Sequence, residues 1–240
     1  MILSGNMELN KLVETFSDNE NSMPQSDRWK NYKAILFDFD GVLGKTMEDN
    51  YKAWANSLAP YGIQIAREEY FLMEGSPPKK VAETFLKINN LGLESVNDIV
   101  RLKEKHYLEN RSFSLYDGAQ ELIESLKVKG LDLGLVTGAS RQRLIGTGIN
   151  AFLSQFDVLI TGDQVSNGKP SPEPYLLCSQ KLSVTPSECL VVENAPMGIE
   201  SAKKAGMFCV AICSTLGRQH LGLADEILNT ISELSSLLDQ

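Results

Sequence analysis

The stretch Ala34-Ile35-Leu36-Phe37-Asp38-Phe39-Asp40-Gly41 decides how the rest of the chain is read. Four apolar residues are too few for a helix, and the run stops at two acids and a glycine. The pattern predicts a buried strand that ends in a turn. Side chains alternate along a strand, which sends Asp38 and Asp40 to one face and Phe37 and Phe39 to the other. Two carboxylates that converge on one spot repel unless a cation neutralises them, and Mg2+ prefers oxygen ligands while keeping exchangeable waters. An isolated Asp-x-Asp also fits an ordinary strand end with a turn, so the flanking chain has to arbitrate.

Downstream, short apolar runs recur at Leu131 to Val136, Asp157 to Thr161, Cys189 to Val192 and Met207 to Ile212, each followed by a polar or Gly-rich turn. Helical periodicity fills the gaps at Ala119 to Lys129, Arg141 to Ile145, Pro172 to Leu182 and Pro196 to Ala205. Strand alternating with helix predicts an α/β fold, a doubly wound parallel sheet with helices on both faces. The alternation breaks between Thr46 and Leu115, where helical patterns near 47–60, 77–90 and 95–110 follow an apparent capping box, Thr46-x-x-Asp49. The expected domains are an N-terminal extension (1–31), an α/β core (32–45 with 116–240) and a small inserted α-helical cap (46–115). Within the extension, Met7 to Phe16 fits one short amphipathic helix and Ser17 to Asp27 is a polar tract.

Composition narrows the class. The 240 residues are 42% apolar and 22% charged, which is globular, and 23 basic against 31 acidic residues give a net charge of -8. That field repels nucleic-acid backbones and anionic lipid at long range, so neither is an expected partner. An anionic substrate needs a metal ion or a few placed cations. Four cysteines without a Cys-x-x-Cys pair predict buried free thiols, and two distant histidines, His106 and His220, predict surface positions. No basic segment leads into a long apolar run, and the expectation is a soluble, cytoplasmic monomer or small homo-oligomer.

Ligands of open parallel sheets bind beyond the carboxyl ends of the strands. The residues leaving the predicted strands are Asp38 and Asp40, Thr137-Gly138, Gly168-Lys169 and Glu193-Asn194. Thr137-Gly138 offers a hydroxyl and N–H groups before a helix, where anions are held. Lys169 sits in the proline-stiffened Gly168-Lys-Pro-Ser-Pro-Glu-Pro-Tyr175. Glu193-Asn194 supplies one charged and one neutral oxygen ligand. Taken singly, each also reads as a plain cap, surface lysine or strand end.

In this order the four pieces resemble the motifs of the haloacid dehalogenase-like (HAD) superfamily, from about Tyr32 to the carboxyl end. Phe37-Asp-Phe-Asp-Gly-Val-Leu43, Val136-Thr-Gly138, Gly168-Lys-Pro170 and Val191-Val-Glu-Asn-Ala-Pro-Met-Gly-Ile199 are similar to motifs one to four, and the insert's place matches a small helical cap of the first type. The resemblance implies a Mg2+-dependent phosphatase acting on a small phosphorylated metabolite such as a sugar phosphate. In it Asp38 is the nucleophile that becomes an aspartyl-phosphate and Asp40 the general acid and base. Thr137, Gly138 and Lys169 would hold the phosphoryl oxygens, and Asp38, the Asp40 carbonyl, Glu193 and Asn194 the metal.

Several residues depart from the pattern. Asn194 stands where many relatives carry a metal-binding aspartate, which predicts weakened Mg2+ binding. Lys45 occupies a hinge position that is often aspartate and reads either as a cation near the cap mouth or as a solvated lysine. The chain is otherwise close to the β-phosphoglucomutase branch, yet Asn50 replaces its hinge histidine, Pro78 its phosphate-gripping arginine and Glu74 a cap lysine. Lys79 and Lys80 substitute for that arginine only with a shift of register. The cap candidates for substrate contact are Gly75 and Lys79 in the 74–80 loop and Asn50 on the helix from Thr46 to Trp54. Hydrolysis is therefore favoured over mutase-type phosphoryl exchange, which stays the alternative, with a non-catalytic binding or regulatory relative as the second. Dehalogenation has no use for a second acid at Asp40.

Overall fold

The computed structural model describes residue 29 and residues 31–239. The predicted helix over Met7 to Phe16 and nearly all of the 1–31 extension lie outside the described residues. Within them, the first strand, β1 (Ala34–Phe37), is where the apolar run predicts it. It is followed by the four helices of the 46–115 stretch: α1 (Met47–Leu58), α2 (Arg67–Phe71), α3 (Pro78–Ile88) and α4 (Val96–Asn110). The remainder runs α5 (Ala119–Val128), β2 (Asp132–Val136), α6 (Arg141–Ile145), α7 (Asn150–Leu153), β3 (Val158–Ile160), α8 (Glu173–Leu182), β4 (Cys189–Glu193), α9 (Pro196–Lys204), β5 (Phe208–Ile212), β6 (Glu226–Leu228) and α10 (Glu233–Leu238).

The sheet has the order β3-β2-β1-β4-β5-β6, and every pairing is parallel. Alternation along the strands divides the core. Ile35, Phe37, Leu133, Leu135, Leu190 and Val192 pack with Leu122, Ile123 and Leu126 of α5 on one face. Leu36, Val136, Val191 and Cys209 meet Tyr175 and Cys178 of α8 and Ile199 of α9 on the other. Each buried Leu or Ile contributes about 1.5–3 kcal/mol of transfer free energy, so covering both faces makes the sheet the rigid part of the molecule. β6 went unpredicted because its three residues are only half-buried at the sheet edge.

The helices over 47–110 pack on an aromatic and aliphatic stripe, including Trp54, Leu58, Tyr70, Phe71, Phe85 and Ile99, that is continuous with the α8–α9 face of the core. A bridge between Gly44 and Leu115 closes the two chain crossings. Thr46 is not the expected capping box: its side chain makes no cap bond, and Asp49 instead accepts from the Ser112 N–H at 2.7 Å. The Thr46 hydroxyl is taken by Asp40, a stronger acceptor than the helix end provides. All four cysteines are free thiols, as expected; Cys178, Cys189 and Cys209 are buried, whereas Cys213 is half-buried just past the end of β5. The histidines are half-exposed, and His220 reaches Glu68 of α2 at 2.9 Å. No described helix is long and apolar enough to cross a membrane.

Candidate active site

Parallel strands aligned in register bring their carboxyl ends to one rim, and the loops leaving β1, β2 and β4 meet there. Asp38 continues the ladder, its N–H donating to the Val192 carbonyl at 3.0 Å, and the Thr137 N–H does the same to Ile160 at 2.9 Å. Phe39 turns into the α5 face with Phe37, and Asp38 and Asp40 both line the opposite cavity, as the alternation predicts.

Lys169 enters from the loop after β3. Its ammonium donates to Asp38 Oδ1 at 2.5 Å and to Glu193 Oε1 at 2.6 Å, with the lysine side chain only 3% exposed. Burial holds the Asp38 carboxyl well above its ordinary value; Lys169 pulls it down, while Glu193 and Asp40 push it further up. Burial also opposes the charge on Lys169, but the two carboxylates outweigh it and hold the ammonium above the usual lysine range. Glu193 is fully committed: Oε1 also accepts from the Tyr175 hydroxyl at 2.8 Å, and Oε2 from the N–H groups of Asn194 and Ala195 at 2.9 and 3.3 Å. Glu193, a metal-ligand candidate from its place in the sequence, also anchors Lys169.

Gly198 and Gly41 permit this packing. A Cβ on Gly198 would lie 1.8 Å from Glu193 Oε1, and one on Gly41, whose φ is +91°, would lie 2.1 Å from the Asn194 amide nitrogen. That amide donates to Thr215 Oγ1 at 3.1 Å, which leaves Asn194 Oδ1 buried without a hydrogen-bond partner. Asn194 packs against Gly41, the residue after Asp40, and an orphaned buried carbonyl there, at the strand exits that carry Asp38 and Asp40, is an oxygen donor of the kind Mg2+ takes. The residues present therefore fit the metal: Asp38, the Asp40 carbonyl and Asn194 would hold it, with Glu193 behind.

The roof comes from the helical insert. The cavity is lined by Asp38, Asp40 and Gly138 below and by Asn50, Trp54, Tyr70, Glu74 and Gly75 above. Gly75 sits against the Lys169 stem: a Cβ there would be 3.1 Å from its Cδ. Thr137 Oγ1 reaches Asp40 Oδ2 at 3.4 Å and accepts the Ala139 N–H at 3.0 Å. Asn50 is buried, its amide donating to Asp40 Oδ1 at 3.4 Å. Lys79 is not brought in. It lies exposed on the first turn of α3, because Pro78 opens that helix at the cavity wall and the next residue points about 100° away. Lys45 is the hinge lysine, bonded to Asp117 at 2.8 Å.

Sequence reading missed two cations. Lys103 of α4 is buried and donates to Asn50 Oδ1 at 2.8 Å; the signal was a lysine on the stripe Val96, Ile99, Lys103, Tyr107. Burial, then Arg143, lowers its ammonium to about 7, while burial, then Asp40, raises Glu74 to about 7. Arg143 of α6 donates to Asp40 Oδ1 at 3.2 Å and Asn50 Oδ1 at 3.0 Å. Nothing local in Arg141-Gln-Arg143 distinguishes it from a solvated arginine.

Two buried carboxylates on one rim, a buried ammonium bonded to one of them and a helical roof over the end of a parallel sheet form a capped site with the groups that phosphoryl transfer requires. Residues 35–212 match the haloacid dehalogenase-like hydrolase family. Validoxylamine A 7'-phosphate phosphatase of Streptomyces hygroscopicus subsp. limoneus is 34% identical over 207 residues, covering 85% of this chain and 96% of its own. The β-phosphoglucomutase of Bacillus subtilis (strain 168) is 27% identical over 213 residues, covering 85% and 92%. The crystal structure of CbbY from Rhodobacter sphaeroides in complex with phosphate superposes with a TM-score of 0.73 at 28% identity, over 87% of this chain and 100% of that one. The chain belongs to the haloacid dehalogenase-like hydrolases, on the branch shared by phosphatases and β-phosphoglucomutases, and is a phosphatase by class.

Proposed function

We propose that this protein is a Mg2+-dependent phosphatase that hydrolyses a small phosphorylated metabolite, a sugar phosphate or related polyol phosphate, through an aspartyl-phosphate on Asp38. The observation that carries the reading is the buried cluster itself: Asp38 bonded to Lys169, Asp40 on the same rim, and the unpartnered carbonyl of Asn194, whose side chain packs against Gly41. Bound Mg2+ would offset the negative charge of the carboxylates and of the phosphoryl oxygens. Asp38 Oδ attacks phosphorus as the ester oxygen leaves, and Asp40 gives that oxygen its proton. Asp40 then takes a proton from the water that attacks the aspartyl-phosphate, releasing phosphate and restoring Asp38. Thr137, the Gly138 N–H and Lys169 stabilise the phosphoryl oxygens throughout.

Hydrolysis is preferred to mutase chemistry because a second phosphate needs an uncommitted cation under the cap. Lys103 and Arg143 are bonded to Asn50 and Asp40, Lys79 points out, and Glu74 adds an acid. Trp54 and the amide, hydroxyl and carboxyl groups around it suit a polyol with one apolar face.

Phosphate release from sugar phosphates, nucleotides and phosphoglycolate, with and without Mg2+, compares wild type with Asp38→Asn. Mg2+-dependent release by wild type alone is expected. Release that persists in Asp38→Asn would refute the mechanism, and conversion of β-glucose 1-phosphate to its 6-phosphate without release would reinstate the mutase.

A further inference from the structure

Arg143 stands where the core meets the helical cap and touches both. It is the third residue of α6, whose Ser140 side chain accepts the Arg143 N–H at 3.2 Å and so fixes where the arginine departs. From there its Nη2 donates at once to Asp40 Oδ1 in the core and to Asn50 Oδ1 on α1, at 3.2 and 3.0 Å. Its guanidinium carbon lies 4.0 Å from the centre of the Tyr107 ring on α4, a stacked cation on a second helix of the cap. The side chain is 10% exposed, and holding a planar guanidinium by two acceptors and a ring face leaves it one orientation.

Arg143 is also a partition. It lines the inner cavity above Asp38 and Asp40, and it lines an outer cleft between α4 and the α6 loop that includes Glu104, Leu108, Gln142 and Asp163. Free space is about 40 Å³ inside and about 630 Å³ outside. The inner space takes a few waters, whereas sites for small organic ligands measure roughly 300–1,000 Å³. A sugar phosphate therefore enters only when the cap lifts, and lifting it separates Arg143 from Asn50 and Tyr107.

We propose that Arg143 is a positioning residue that couples cap closure to the aim of Asp40, so that the acid is held toward the leaving-group oxygen only when α1 and α4 have closed over the substrate. With the cap lifted, Arg143 loses Asn50 and Tyr107, two of its three holds, and Asp40 loses the Asn50 amide and keeps a guanidinium whose orientation is no longer fixed. Closure restores all of them. Proton transfer is thereby confined to the closed state, in which water from the cleft is kept out of the inner cavity by the same side chain. This rests on the proposed role of Asp40 as acid, and the experiment separates the two.

The test compares Arg143→Gln, Arg143→Lys and Asp40→Asn with wild type on fructose 1-phosphate, whose alkoxide must be protonated on leaving, and p-nitrophenyl phosphate, whose phenolate leaves without help. Hydrogen exchange in the free protein is followed at the hinge amides of Lys45 and Ser112, which donate to Ser114 O and Asp49 Oδ2. Losing a charge-assisted buried hydrogen bond corresponds to about 10–100-fold in rate. Arg143→Gln is expected to lose about that much kcat on the sugar phosphate and less than about threefold on the aryl phosphate. Arg143→Lys should fall between, and hinge exchange should quicken at least about threefold in Arg143→Gln. Equal losses on the two esters, or unchanged hinge exchange, would overturn the coupling. If Asp40→Asn itself loses equally on both esters, the acid role is wrong; if Asp40→Asn discriminates and Arg143→Gln does not, only the Arg143 proposal fails.

Discussion

Replacing Lys169 by methionine tests the electrostatics of the site more directly than any other single change. The ammonium lies 2.5 Å from Asp38 Oδ1 and 2.6 Å from Glu193 Oε1, and the side chains of Lys169, Asp38 and Glu193 are 3%, 8% and 1% exposed. Methionine keeps most of the stem's volume and removes the charge, leaving two buried carboxylates facing each other. Breaking a buried pair from one side costs about 3–5 kcal/mol, because the remaining charge keeps its desolvation and loses its compensation. At about 2–4 °C per kcal/mol for a chain of this size, the melting temperature should fall about 6–20 °C in metal-free buffer at pH 7. Asp38→Asn should do the opposite. Burial places the Asp38 carboxyl above its unfolded value, so between the two values the native state binds more protons than the unfolded one, and stability falls as pH rises through that window. The Asp38→Asn substitution removes that slope and should melt higher than wild type at pH 7, by about 2–4 °C for each kcal/mol recovered. Calorimetric melts with EDTA from pH 4 to 8 read both signs in one series. A Lys169→Met melt within about 2 °C of wild type, or an Asp38→Asn melt below it, would refute the account of a buried, overly negative cluster relieved by one ammonium.

Asn194→Asp adds a carboxylate where the buried amide oxygen has no partner, so the half-saturating Mg2+ concentration for activity should fall about 10–100-fold while the EDTA melt drops; an unchanged Mg2+ titration would show that Asn194 faces no metal. Raising the pH through about 7 removes the charge of Lys103 and adds that of Glu74, turning the cap side of the cavity more negative. KM for a phosphate dianion should therefore climb above pH 7, Glu74→Gln should remove part of the climb, and Lys103→Met should give a high KM already at pH 6; steady-state kinetics across pH 5.5–9 reads this. Gly198→Ala drives a Cβ to 1.8 Å from Glu193 Oε1 and should cost stability by about 1–3 kcal/mol and kcat by more than about 10-fold, whereas Gly222→Ala, with nothing within 4 Å, should be silent in the same melts and assays.

The eight residues from Ala34 to Gly41 and the four later strand ends were legible because their signals are local. An apolar run too short for a helix, a change of period and an acid or glycine at the exit are all written within a few positions. Parallel pairing then needs no further information to bring those exits together, since β1, β2 and β4 align in register with their carboxyl ends on one rim. By itself the sequence thus determined the sheet, the helical insert and the meeting of Asp38, Asp40, Thr137 and Lys169. Tertiary structure alone decided what long side chains do across the gap between insert and core. Thr46 left its helix cap for Asp40, Glu193 became an anchor, Lys79 turned outward, and Lys103 and Arg143 arrived from helices 53 and 93 residues away to share the Asn50 carbonyl. The reason is physical: strand alternation and turn chemistry are set by neighbours in the chain, whereas the partner of a flexible cation is set by which buried acceptor lies within reach once two separate elements have packed.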